Sequence, residues 1–137
     1  MRFAVVSAIA LVLSPIASGT LVQFRTPSGN IGCVYSSAEG RLGSSLRCDI
    51  LSGLKPRPPR PPGCQLDWGS GYAMNAARRA HVVCAGDTAV DKRARVLRYG
   101  SKWSRGGFTC VSRRTGLRCR NRSGHGWLLS RRHSYLF

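Results

Sequence analysis

Apolar and polar positions alternate with a period of two along most of this chain, which predicts strands rather than helices. The pattern is clearest in the last third. Phe108, Cys110 and Ser112 share one side of a first run, and Leu117, Cys119 and Asn121 take the same side of a second. Thr109, Val111, Arg118, Arg120 and Arg122 are left on the other side. Between the runs, Arg113, Arg114, Thr115 and Gly116 form a turn cluster whose glycine accepts the positive φ that closes many four-residue loops. The prediction is a β-hairpin. Folding it about the midpoint of that loop sets Cys110 opposite Cys119, and opposed residues of an antiparallel pair have the Cα separation a disulfide needs.

A second pair of runs behaves in the same way. Ile31, Cys33 and Tyr35 alternate on one, Leu46, Cys48 and Ile50 on the other, and the polar connection 36–45 joins them. Its midpoint pairs Cys33 with Cys48. The residues repeat as well as the pattern, since Ile31-x-Cys33-Val34 and Leu46-Arg47-Cys48 parallel Phe108-x-Cys110-Val111 and Leu117-Arg118-Cys119. Two copies are too few for a solenoid. The expected fold is therefore all-β, a small antiparallel sandwich or partly open barrel with two similar disulfide-bridged hairpins.

The remaining segments read less evenly. Leu21 to Phe24 predicts a strand before the turn cluster Thr26-Pro27-Ser28-Gly29-Asn30, Val96 to Gly100 a strand ending in a turn, and Gly124 to Ser130 a strand beside the second hairpin. Tyr72 to Ala80 has helix-forming composition, yet Ala80, Val82 and Cys84 alternate as a strand does. A third hairpin is preferred there, and elimination pairs Cys64 with Cys84. The run Lys55-Pro56-Arg57-Pro58-Pro59-Arg60-Pro61-Pro62 must be extended, so it reads as a stiff connector. Its Pro-x-x-Pro spacing also suits an aromatic groove, a partner an exported chain would rarely meet.

The amino-terminal residues change the compartment. Arg2, an apolar run from Phe3 to Leu13 and a small-residue end at Ala17, Ser18 and Gly19 form a secretory signal over residues 1–19, with one disulfide-stapled domain over 20–137. Such a run is short for a bilayer span, which takes about 20 residues. The six cysteines then read as three bridges in a secreted or envelope protein. Their spacing matches no zinc signature, so neither a metal nor a cofactor is expected. Loop closure assigns the three bridges about 3 kcal/mol each, a large share of a typical stability of about 5–15 kcal/mol.

Charge supplies the candidate chemistry. The formal net charge is +17, and residues 92–137 hold thirteen Lys or Arg and no Asp or Glu. A one-sign field attracts polyanions, whether acidic envelope polymers or, non-specifically, nucleic acid. It also keeps a protein dispersed. The candidate ligand-binding residues are Arg113, Arg114, Arg118, Arg120, Arg122, Arg131 and Arg132, because guanidinium forks bind phosphate and carboxylate bidentately. The expected molecule is a monomer without enzymatic activity. Two other classes compete with this reading. A rigid hairpin loop would suit a secreted inhibitor or interaction module. A hydrolase would require Asp67, Asp87 and His125 to meet in one pocket. In an antiparallel pair, equal offsets from Cys64 and Cys84 carry the two carboxylates about 20 Å apart, and His125 between two glycines reads as a turn residue.

Several motifs in order carry a resemblance: Thr26-Pro27-Ser28-Gly29-Asn30-Ile31-Gly32-Cys33, Arg47-Cys48-Asp49-Ile50, Asp67-Trp68-Gly69 after Cys64, Cys84-Ala85-Gly86-Asp87-Thr88, Tyr99-Gly100, Gly116-Leu117-Arg118-Cys119 and Gly124-His125-Gly126-Trp127. Together they are similar to a family of small exported bacterial proteins, common in actinobacteria, that is known as a domain of unknown function. The resemblance covers nearly all of the mature chain and all six cysteines. It implies an extracytoplasmic domain with internal disulfides and brings no catalytic or binding residue with it. The arginine content and the Pro-Arg connector exceed the family pattern.

Overall fold

The computed structural model describes residues 10–13, 19–37 and 43–137. Most of the proposed signal at 1–19, and the tip of the connection 36–45, lie outside the described residues. Eleven strands follow in order: β1 (Leu21–Arg25), β2 (Ile31–Ser36), β3 (Ser45–Ile50), β4 (Trp68–Asn75), β5 (His81–Cys84), β6 (Arg95–Val96), β7 (Lys102–Arg105), β8 (Phe108–Arg113), β9 (Gly116–Asn121), β10 (Gly126–Leu129) and β11 (Tyr135–Leu136). No helix occurs among the described residues. A six-stranded sheet has the order β5-β4-β3-β2-β1-β6, and a five-stranded sheet the order β11-β10-β9-β8-β7. Every pairing is antiparallel except β1 with β6, a parallel contact of two residue pairs.

Period two does its work in both hairpins. Cys33 pairs with Cys48 and Cys110 with Cys119 in ladder register, and both pairs are disulfide-bonded with Cα atoms 4.1 Å apart. Ile31, Tyr35, Leu46, Ile50, Phe108 and Leu117 are buried in one shared core. The likeness of the halves extends beyond the two hairpins. Phe24 pairs with Cys33 and Tyr72 with Cys48 in the first sheet, while Trp103 pairs with Cys110 and Trp127 with Cys119 in the second. Each sheet thus carries the row aromatic, Cys, Cys, aromatic. Equivalent rings meet across the core, Phe24 with Trp103 at 4.8 Å and Tyr72 with Trp127 at 6.0 Å between centroids. Such contacts add to the area that aromatic burial already removes from water.

The third bridge, Cys64 to Cys84, is present too, with a Cα separation of 6.0 Å. It is not a ladder pair. Trp68 is the residue opposite Cys84, and a bulge shifts the register before Tyr72 pairs with Val82. Tyr72 to Asn75 is strand, not helix, because Tyr72 and Met74 each reach the core two residues apart. Tertiary burial overrides local propensity here. The connector 55–62 contains no strand; Trp68 Nε1 donates to Pro58 O at 3.0 Å, and Ser134 N donates to Lys55 O at 2.7 Å. One expectation is adjusted: the strand placed at Val96 to Gly100 shrinks to Arg95–Val96 with a turn at Tyr99 and Gly100. The strands β7, which carries Trp103, and β11 were not predicted.

Candidate anion-binding site

The two sheets differ most on their outer faces. In the first, outward-facing Arg47 and Asp49 lie on β3 next to Cys48. Arg47 donates from Nη2 to Asp49 Oδ2 at 2.7 Å, from Nε to Asp49 Oδ1 at 3.1 Å and from Nη1 to Asp87 Oδ1 at 2.9 Å. Asp49 also accepts the Ala89 amide at 2.9 Å. The segment around Ala89 and Val90 crosses Gly32 so closely that a Cβ there would strike the backbone of Val90. The 86–94 segment covers this part of the face, and Arg47 is neutralised there. Burial works to lower the Arg47 pKa, but hydrogen bonds to Asp49 and Asp87 outweigh it and raise the value further. The hydrogen bond from Arg47 holds the Asp87 carboxyl below its ordinary value of 3.8.

In the second sheet the equivalents of Arg47 and Asp49 are Arg118 and Arg120, placed around Cys119 as the first pair is placed around Cys48. An acid has become a cation. Residues 102–137 hold nine Lys or Arg and no Asp or Glu. Among the described residues none of these nine takes part in an ion pair. Arg118 and Arg120 are exposed, and no segment comparable to 86–94 hydrogen-bonds across them.

The predicted arginines separate into two groups joined by one strand. Arg113, Arg114, Arg131 and Arg132 line a groove of about 550 Å³ beside the β8–β9 turn, together with Thr26, Ser28 and Asn30 of the β1–β2 turn. The Ser130 hydroxyl shapes its floor by accepting from the amides of Arg132 and His133, both at 3.2 Å, and donating to His133 O at 2.9 Å. Arg114 lies over the Tyr99 ring at 5.0 Å. Arg120 and Arg122 instead line a shallower pocket of about 510 Å³ at the other end of β9, together with Arg105, Gly106 and Gly107. Arg118 lies between the two, its guanidinium 4.0 Å above the Phe137 ring. Sequence reasoning missed Arg105, Tyr99 and His133. Gly106-Gly107 after Arg105 was the one available sign, a tight turn returning the chain beside Arg122.

The acidic residues need a correction. Asp67 and Asp87 do not diverge by about 20 Å; they line one shallow pocket with Asp49, Ser70 and Thr88. The reason is the register. Cys84 faces Trp68, so Asp67 just before β4 and Asp87 just after β5 share the open end of the hairpin, where Ala85 N donates to Asp67 O at 3.1 Å. His125 is not in that pocket. It sits in the β9–β10 turn, where Asn121 Oδ1 accepts its amide at 3.1 Å. Among the described residues no three His, Cys, Asp or Glu side chains gather as metal ligands would. No helix among them is long and apolar enough to cross a membrane.

Fold and site together define a disulfide-stapled β-sandwich in which Arg47 on one outer face is covered and neutralised and Arg118 and Arg120 on the other are left open. Three bridges also point to an oxidising, extracytoplasmic setting. The chain belongs to a family of unknown function, DUF6636, whose profile matches residues 4–137. No curated protein and no solved structure matches it.

Proposed function

We propose that this protein is an exported, monomeric, non-enzymatic domain that binds acidic polymers of the cell envelope, or other polyanions, through the arginines of its second sheet. One observation carries the reading: four arginines line one groove whose lining holds no Asp or Glu. Like charges gathered without counter-charge raise the free energy of the unliganded molecule, and an anion relieves it. Arginine suits the task because each planar fork reaches two acceptor oxygens.

The test compares two variants of equal charge. One replaces Arg113, Arg114, Arg131 and Arg132 by Ser; the other replaces the exposed Arg78, Arg79, Arg93 and Arg95, which line neither pocket of the second sheet. Retention on an anionic matrix is measured against salt. Loss of four phosphate contacts should flatten the dependence of log K on log salt by about 3. The groove variant is expected to show this and the control to keep most of the native slope. Equal losses in both would reduce the effect to net charge and end the proposal.

A further inference from the structure

The groove at Arg113 and Arg131 and the pocket at Arg105 and Arg122 lie at opposite ends of β9, the central strand of its sheet. Arg118 and Arg120 point outward along the line between them. We infer that these are the two ends of one binding track, which takes a linear phosphate polymer lying along β9 and does not reach full affinity with a small anion. This rests on the polyanion reading above and adds a length and a chemistry to it.

The length follows from strand geometry. Six residue steps from Gly116 to Arg122, at about 3.3 Å each, separate the two cradles by about 20 Å. A ligand shorter than this fills one cradle. A longer chain held at one end is presented to the other at high effective concentration, so its affinity rises steeply once the span is reached. The neighbours of Arg118 and Arg120 carry no acid, being Val111 and Thr109 on β8 and Leu128 and Gly126 on β10, and the Phe137 ring beyond Gly126 packs against the Arg118 guanidinium. Gly126 is required there, because a Cβ would strike the Cys119 carbonyl. A phosphate chain suits the donor set because its charged units follow one another along a continuous backbone, so the several arginines lining one cradle can each meet an anionic group.

The experiment is calorimetric titration of the whole protein with linear polyphosphates of defined length, beginning at tripolyphosphate. Tripolyphosphate is expected to bind weakly at two sites per molecule. Chains longer than the span should bind as one per molecule with affinity raised at least about 100-fold. Arg105→Ser with Arg122→Ser should abolish that step and leave one tripolyphosphate site, while Arg78→Ser with Arg79→Ser should preserve the step. Arg120→Ser alone should lower the step, and melting curves of each variant confirm folding. A smooth rise of affinity with charge, or equal loss in the Arg78/Arg79 control, overturns the track and leaves the polyanion reading standing. Absence of binding at any length overturns both. Oligothymidylate of matching length should show the same step, since backbone phosphate is what is read; a step with oligothymidylate alone, or an equal step with a polyuronate, refutes the phosphate-backbone assignment.

Discussion

Replacing Asp49 by Ala removes the one carboxylate that ties the 87–90 segment to the first sheet. Asp49 is 1% exposed and receives two hydrogen bonds from Arg47 and one from the Ala89 amide. Loss of the acceptor leaves a buried amide unpaired, which costs about 1–3 kcal/mol. Breaking a buried ion pair costs about 3–5 kcal/mol, but Arg47 keeps its contact with Asp87 and its side chain is 20% exposed, so the lower end applies. The combined loss is set at about 3 kcal/mol, since the two effects share one side chain. At about 4 °C per kcal/mol for a domain of this size, the melting temperature should fall by about 12 °C. Asp49→Asn keeps an acceptor oxygen without the charge and should lose about half as much. The assay is thermal and urea unfolding under non-reducing conditions, with amide exchange at Ala89 as the local probe. A loss below about 1 kcal/mol for the Ala variant, or equal losses for Ala and Asn, would show that the carboxylate does not hold this segment.

Two further outcomes are expected. Loop closure alone ranks the Cys64–Cys84 bridge, with a separation of 20, above Cys110–Cys119, with a separation of 9, at about 3.3 against about 2.6 kcal/mol. Cys110 and Cys119 are wholly buried, however, so replacing both by Ala adds a cavity cost of about 2 kcal/mol. The central pair should therefore be the more damaging loss, and melts that follow loop length instead would refute the packing argument. For pH, the depressed Asp87 carboxyl contributes stability that is present above its unfolded pKa and is lost as pH falls through the lower folded value. Wild type and Asp87→Asn should differ in melting temperature at neutral pH and converge in acid below about pH 4. A constant gap would mean that the Arg47 contact is not felt.

The likeness of the two halves gives the candidate site its meaning. Both sheets use the same row of two cysteines between two aromatics. A scaffold of that kind fixes which positions face outward. The first half spends its outer face on Arg47, Asp49 and a covering segment, and the second presents Arg118 and Arg120 uncovered. The surplus charge therefore has a place in the structure and is not spread evenly as composition alone would have it.

Much of this was legible along the chain. Period two at Ile31, Cys33, Tyr35, Phe108, Cys110 and Leu117 determined strands, inward faces and two of the cysteine pairings, because alternation and hairpin symmetry are local properties of a sequence; the third, Cys64 with Cys84, followed by elimination. Only the tertiary structure decided which outward-facing arginine is covered, that β7 and β11 complete the second sheet, and that Arg131 and Arg132 line a groove with Arg113 and Arg114 while Arg122 lines a pocket with Arg105. It also brought Asp67 beside Asp87, against the separation the cysteine offsets implied. Those outcomes depend on a bulge, on loops and on contacts between residues distant in sequence, which a periodic pattern does not encode.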